Sequence, residues 1–124
     1  MTLRILDVGQ CGFDGPAIQQ ALKGELHARV DRADTADETK RQLASAKYDI
    51  VLINRELNAD GSSGIDLIAD LAQSGVTVPL MLVSDRVDAQ VLAVAIGGVR
   101  GFGKSQLHDP ATFDLIKKSA RHNN

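Results

Sequence analysis

The sequence predicts an α/β domain of five βα units, with a parallel sheet covered by helices on both faces. Three observations carry this. Short apolar runs alternate with stretches of helical period along the whole chain. Two of those runs, DIVLIN (49–54) and VPLMLVS (78–84), have uninterrupted apolar centres, IVLI and VPLMLV, as strands buried on both faces do. At 124 residues the chain has the length of a single domain that buries one sizeable core.

The elements follow in order. LRILDV (3–8) is the first strand, with Asp7 inside an otherwise apolar run. PAIQQALKGEL (16–26) is the first helix, with Asp14 or Gly15 near its cap and Pro16 in its first turn. Ile18, Ala21, Leu22 and Leu26 fall at helical spacing. HARVDRA (27–33) reads as a weak second strand. Thr35 and Glu38 then form a capping box, in which the hydroxyl takes an orphan N–H and the carboxylate reaches back. That helix runs to about Ala46, and the third strand follows. The stretch NADGSSG (58–64) is a flexible loop by composition, and IDLIADLAQSG (65–75) is a helix ended by Gly75.

After the fourth strand, Asp88 is placed to cap DAQVLAVAIGG (88–98), and VRGFG (99–103) is a short fifth strand. Asp109 and Pro110 open the last helix, ATFDLIKKSAR, whose basic residues near the end suit the helix dipole. One domain over 1–121 and a frayed tail over 122–124 are expected. There is no internal repeat or linker-like segment.

Bulk composition narrows the function. A formal net charge of −2 gives no basic bias toward nucleic acid or an anionic membrane. The single cysteine, Cys11, cannot form an intrachain disulfide, which points to a reducing compartment. The amino terminus lacks signal-peptide character and no apolar run is long enough to span a bilayer, so a cytoplasmic location is expected. His27, His108 and His122 are scattered without metal-ligand spacing and read as surface residues.

The most informative segment is YDIVLINREL (48–57), a buried strand that delivers Asn54 to its carboxyl end, where ligands bind in open α/β sheets. Five βα units with this order resemble the receiver domain of two-component response regulators, over nearly the whole chain. The resemblance implies a flavodoxin-like strand order, 2-1-3-4-5. It also implies a pocket of an acidic pair holding Mg²⁺ after the first strand, a phosphoacceptor aspartate ending the third, a Ser or Thr ending the fourth, and an aromatic on the fifth with a lysine beyond it. In this chain the acidic pair falls on Gly9 and Gln10 and the acceptor on Asn54, while Ser84, Phe102 and Lys104 keep their residue type. Ser105 stands where proline usually follows the lysine, and one residue fewer separates Phe102 from Lys104. The loop from Asn54 to Gly64 is about two residues longer than is usual in that family.

The departures remove charge chemistry. Mg²⁺ needs hard oxygen ligands, usually with one or two carboxylates, and an amide does not form an acyl phosphate. Glu56 is the one local acid, with its side chain expected in solvent. A receiver-like module without Mg²⁺, without any other cofactor and without enzymatic activity is therefore expected, acting by protein–protein contact. Asn54 is expected to bond local backbone and Lys104 the Asn54 amide oxygen. Ser84 is expected to cap the following loop or helix, and Phe102 to pack in the core. The resemblance implies a partner or dimer mate on the face of the fourth helix, fifth strand and fifth helix, drawing on Val91, Val94, Ala95, Arg100, Phe102 and residues 111–121.

Two other readings remain open at this point. One is a phosphorelay receiver with an unusual acceptor. The other arises because GVRGFGKS (98–105) fits the pattern of a nucleotide-binding P-loop, which raises nucleotide or anion binding. Against it, this segment must supply the fifth strand, and the 19 residues after Ser105 leave room only for one helix.

Overall fold

The computed structural model describes residues 2–120. Its strands are β1 (Arg4–Val8), β2 (Arg29–Ala33), β3 (Ile50–Asn54), β4 (Leu80–Val83) and β5 (Val99–Phe102). Its helices are α1 (Asp14–Leu26), α2 (Ala36–Ser45), α3 (Gly64–Gln73), α4 (Val87–Ala95) and α5 (Pro110–Ser119), with a short 3₁₀ turn at Lys104–Gln106. All strand pairs are parallel, and the sheet order is β2-β1-β3-β4-β5, as expected. The proposed tail, with His122, lies outside the described residues.

The sheet divides the core in two because successive side chains point to opposite faces. Leu6, Val8, Val51, Ile53, Leu80 and Leu82 pack with Leu67, Ile68 and Leu71 of α3 and Ala89 and Ala93 of α4. On the other face Ile5, Ile50, Leu52, Met81, Val83 and Phe102 meet Ile18 and Leu22 of α1 and Phe113 and Ile116 of α5. Asp7 shares this second face with Ile5.

Several termini differ from the sequence reading. At α2 the Thr35 Oγ1 accepts the Glu38 N–H, but the Glu38 carboxylate passes Thr35 and accepts the Asp34 N–H instead. Asp88 does not cap α4. The helix begins one residue earlier, and Asp88 sits in its first turn, paired with Arg86 at 2.9 Å. Helix α1 begins at Asp14, and Phe13 at its cap makes no side-chain capping bond. The 58–64 stretch is not a free loop. Leu57 N–H donates to Ser62 O, Gly61 N–H to Leu57 O and Gly64 N–H to Arg55 O, and Glu56 bridges Ser63.

Strand β5 carries a register irregularity. Two steps along β4, Met81 to Val83, face three along β5, Val99 to Phe102. The extra residue offsets the short approach from Phe102 to Lys104. Gly101 lies within it, where a Cβ would sit 1.9 Å from the Leu82 carbonyl oxygen, so only glycine fits.

Candidate functional site at the carboxyl end of the sheet

Parallel strands bring Gly9, Gln10, Asn54, Ser84 and Lys104 to one end of the sheet, as the sequence implied, but they do not form an open acidic pocket. Asn54 donates its amide N–H groups to Glu56 O at 2.7 Å and Gly9 O at 3.2 Å, tying the ends of β1 and β3 together. This is the local backbone role expected of it.

The decisive residue is Leu57, which the sequence reading did not single out. It is 0% exposed and lies over Gly9. A Cβ on Gly9 would stand 2.3 Å from Leu57 Cδ2 and 3.1 Å from its Cα, and Gly9 has φ of 78°, a backbone conformation that side-chain-bearing residues seldom adopt. Asn58 N–H closes the lid by donating to Gly9 O at 3.0 Å. Hydrocarbon therefore occupies the space that a first acidic side chain would need. Gln10 is also buried, with a neutral amide, and Glu56 is exposed. This set does not suit Mg²⁺: Gly9 and Gln10 supply no carboxylate, and of the acids at the rim of the cavity beside Asn54, Glu56 is exposed and Asp85 is bonded to Ser105.

Lys104 does not bond Asn54. Its Nζ lies 2.8 Å from Asp14 Oδ2 at the start of α1, and this ammonium holds the Asp14 carboxyl below its ordinary range. The two residues are far apart in sequence, and nothing in the spacing marks them as a pair. Ser84 Oγ accepts the Arg86 N–H at 3.2 Å and so shapes the entry to α4, as expected. Cys11 is partly buried, and its Sγ accepts the Asp14 N–H at 3.2 Å.

Asp7 is the anomaly of the site. It is 1% exposed, and neither carboxyl oxygen has a hydrogen-bond partner. The amides of Gln10 and Gln19 stand beside it as its nearest hydrogen-bonding groups. Burial pushes the Asp7 carboxyl up to about 7, opposed by the nearby Gln10 and Gln19 amides and by the charges of Arg32 and Lys104.

The GVRGFGKS segment is no cradle for phosphate. Its middle is β5, and its donors are occupied. Gly101 N–H donates to Gln90 Oε1 and Gly103 N–H to Gln106 Oε1. The Asp85 carboxylate accepts from Ser105 through both the hydroxyl and the backbone N–H, so an anion already stands where a phosphate would dock.

Beside the pocket, α4 is built inside out. Its small residues Ala89 and Ala93 face the core, while Val87, Val91, Leu92 and Val94 are 77%, 66%, 50% and 49% exposed. A groove of about 700 Å³ runs between α4 and β5, floored by Gly101 and Gln90 and edged by Val91, Val94 and Arg100. Phe102 is 3% exposed and faces the opposite core, so it contributes packing and not side-chain surface to this face.

No family model matches the sequence, and no curated protein matches it. Solved structures do match. The receiver domain of an HD domain-containing protein from Pseudomonas fluorescens Pf-5 superposes with a TM-score of 0.79 at 19% identity, covering 96% of this chain and 94% of that one. A response regulator from Thermotoga maritima gives 0.77 at 21% identity, with 95% and 97% covered. The chain has the receiver fold. The receiver domain of the Francisella response regulator 1452 agrees, with a TM-score of 0.75 at 16% identity over 95% of this chain and 93% of that one. Identity this low speaks for the fold alone, so the activity of this receiver-like domain is argued from its own residues. Among the described residues, no helix is long and apolar enough to cross a membrane.

Proposed function

We propose that this receiver-like domain is a phosphorylation-independent signalling module of a cytoplasmic regulatory assembly, acting through protein–protein contact. One observation carries the reading: Leu57 packs over Gly9, so hydrocarbon stands where a first acidic side chain would start, and the cavity of about 300 Å³ beside it presents the Asn54 amide. Asn54 supports it, since an amide committed to two backbone carbonyls is no nucleophile. A phosphorelay role with an unusual acceptor would have to use Glu56, which is exposed at the rim of the cavity, Asp85, which is bonded to Ser105, or Asp7, which is buried. Nucleotide binding through residues 98–105 would have to displace Asp85.

The partner surface in this reading is the α4–β5–α5 face. Its exposed valines make a contiguous apolar strip, a pattern that marks interaction sites when it is not scattered singly. Val91, Val94 and Arg100 carry the contact, with no side-chain part for Phe102.

Magnesium titration tests the loss of the metal site. Backbone amide resonances of Gly9, Gln10, Asn54 and Glu56 are expected to stay unmoved as MgCl₂ is raised into the millimolar range. A saturable shift confined to those four positions would contradict the reading.

A further inference from the structure

The groove between α4 and β5 is selective about what fills it. One wall is a ridge of Val87, Val91 and Val94 on a single side of α4. Leu92 turns to the α3 side instead. The other wall is β5, an edge strand of four residues. Two kinds of partner backbone suit such a groove: a strand added to β5, or a helix laid along the valines. An added strand needs free main-chain donors on the edge. Those of Gly101 and Gly103, the two glycines of the groove, are already taken by Gln90 Oε1 at 2.9 Å and Gln106 Oε1 at 3.1 Å, and both glycines are buried. Gln90 is itself held in place, because its Nε2 donates to Leu82 O at 3.0 Å and Ser84 O at 3.1 Å. The valines, by contrast, stand at the i, i+4, i+7 spacing by which one helix packs its ridge against another.

Charge narrows the choice further. Arg100 is exposed at the edge of the groove and has no ion pair among the described residues. The acids nearby are committed, Asp85 to Ser105 and Asp88 to Arg86. A second copy of this groove would therefore bring a second Arg100 and no free acid to meet the first. A guanidinium in this position is matched by a carboxylate, which it can grip through two parallel N–H groups.

We propose that the groove takes an amphipathic helix of a partner protein, apolar on its docking side and carrying an Asp or Glu against Arg100. The inference rests on the proposed function in placing the partner contact on this face. The choice of a helix stands on the valine ridge and the two capped glycine donors, and the choice of an acid on the unpaired Arg100.

A display library of random peptides about 16 residues long, enough for a helix, tests it when selected on the wild-type chain after depletion on Val91→Glu. Val91 and Arg100 are both exposed, so the variants used here keep the fold. Enriched peptides are expected to carry apolar residues at helical spacing with an Asp or Glu beside them. A synthetic peptide of that consensus should lose about tenfold or more of its affinity for Arg100→Glu and regain it when Lys replaces the peptide's acid. Four results would overturn the inference: no enrichment, apolar residues alternating as in a strand, binders without an acid, or indifference to Arg100→Glu. A wild-type dimer in sedimentation that Val91→Glu breaks would overturn it too, in favour of a second copy. Phosphorylation of the chain would sink the proposed function and leave the preference of this groove untouched. A groove without that preference leaves the altered pocket as it stands, so the two fail separately.

Discussion

Asp7→Asn is expected to stabilise the fold strongly at mildly alkaline pH and hardly at all in acid. The sign follows from the two states of the carboxyl. In the folded chain it keeps its proton up to about 7, and in the unfolded chain it releases it at an ordinary value of 3.8. Between these values the folded state binds the extra proton, so stability falls as pH rises through the window and levels off above it. At about 1.4 kcal/mol per pH unit the whole fall is on the order of 4 kcal/mol. Asparagine has nearly the same shape and no charge to bury, so it removes this slope. The gain at about pH 8 is expected at about 2–4 kcal/mol, the lower part applying if the charges of Arg32 and Lys104 partly offset the wild-type carboxylate. Urea unfolding of both chains in acid and in mild alkali measures it. A wild-type stability that is flat across the window would show that Asp7 is ionised and paired.

Leu57→Ala is expected to have an effect of similar size in the opposite direction. The side chain is fully buried at the junction of β1, β3 and the following loop. Its removal takes away the hydrocarbon over Gly9 and leaves a cavity that the bonded turn at 57–64 is ill placed to collapse into. Buried leucine truncations of this kind cost about 2–5 kcal/mol. Thermal or urea denaturation reads the loss. A cost under about 1 kcal/mol would mean that Leu57 is a surface cover and not the plug of the pocket.

The order of elements was legible because each strand and helix carries its own period. The uninterrupted apolar runs at 50–53 and 78–83 announce buried strands, and Pro110 after Asp109 announces α5. The loss of acids at Gly9, Gln10 and Asn54 was equally plain, since it depends on residue type at a strand end. What the sequence hid depends on packing. Leu57 reads as one more apolar residue after Glu56; only the missing side chain at Gly9 hints that something else fills the gap. Helix α4 is apolar nearly throughout, so its period does not say which face turns inward, and the choice of alanines follows from close approach to the sheet. The ion pair of Lys104 with Asp14 depends on how the strand end and helix start meet in space. The orientation of Phe102 depends on the irregularity at Gly101, which spacing shows only as a missing residue farther along.

The central claim is that this receiver-like pocket takes no phosphoryl group. Incubation of the wild-type chain with a small-molecule phosphodonor and excess Mg²⁺, followed by intact-mass measurement, tests it most directly. The account predicts a single species at the unmodified mass at every time sampled. A Mg²⁺-dependent gain of one phosphoryl group that mild base removes, as it removes an acyl phosphate, would contradict it.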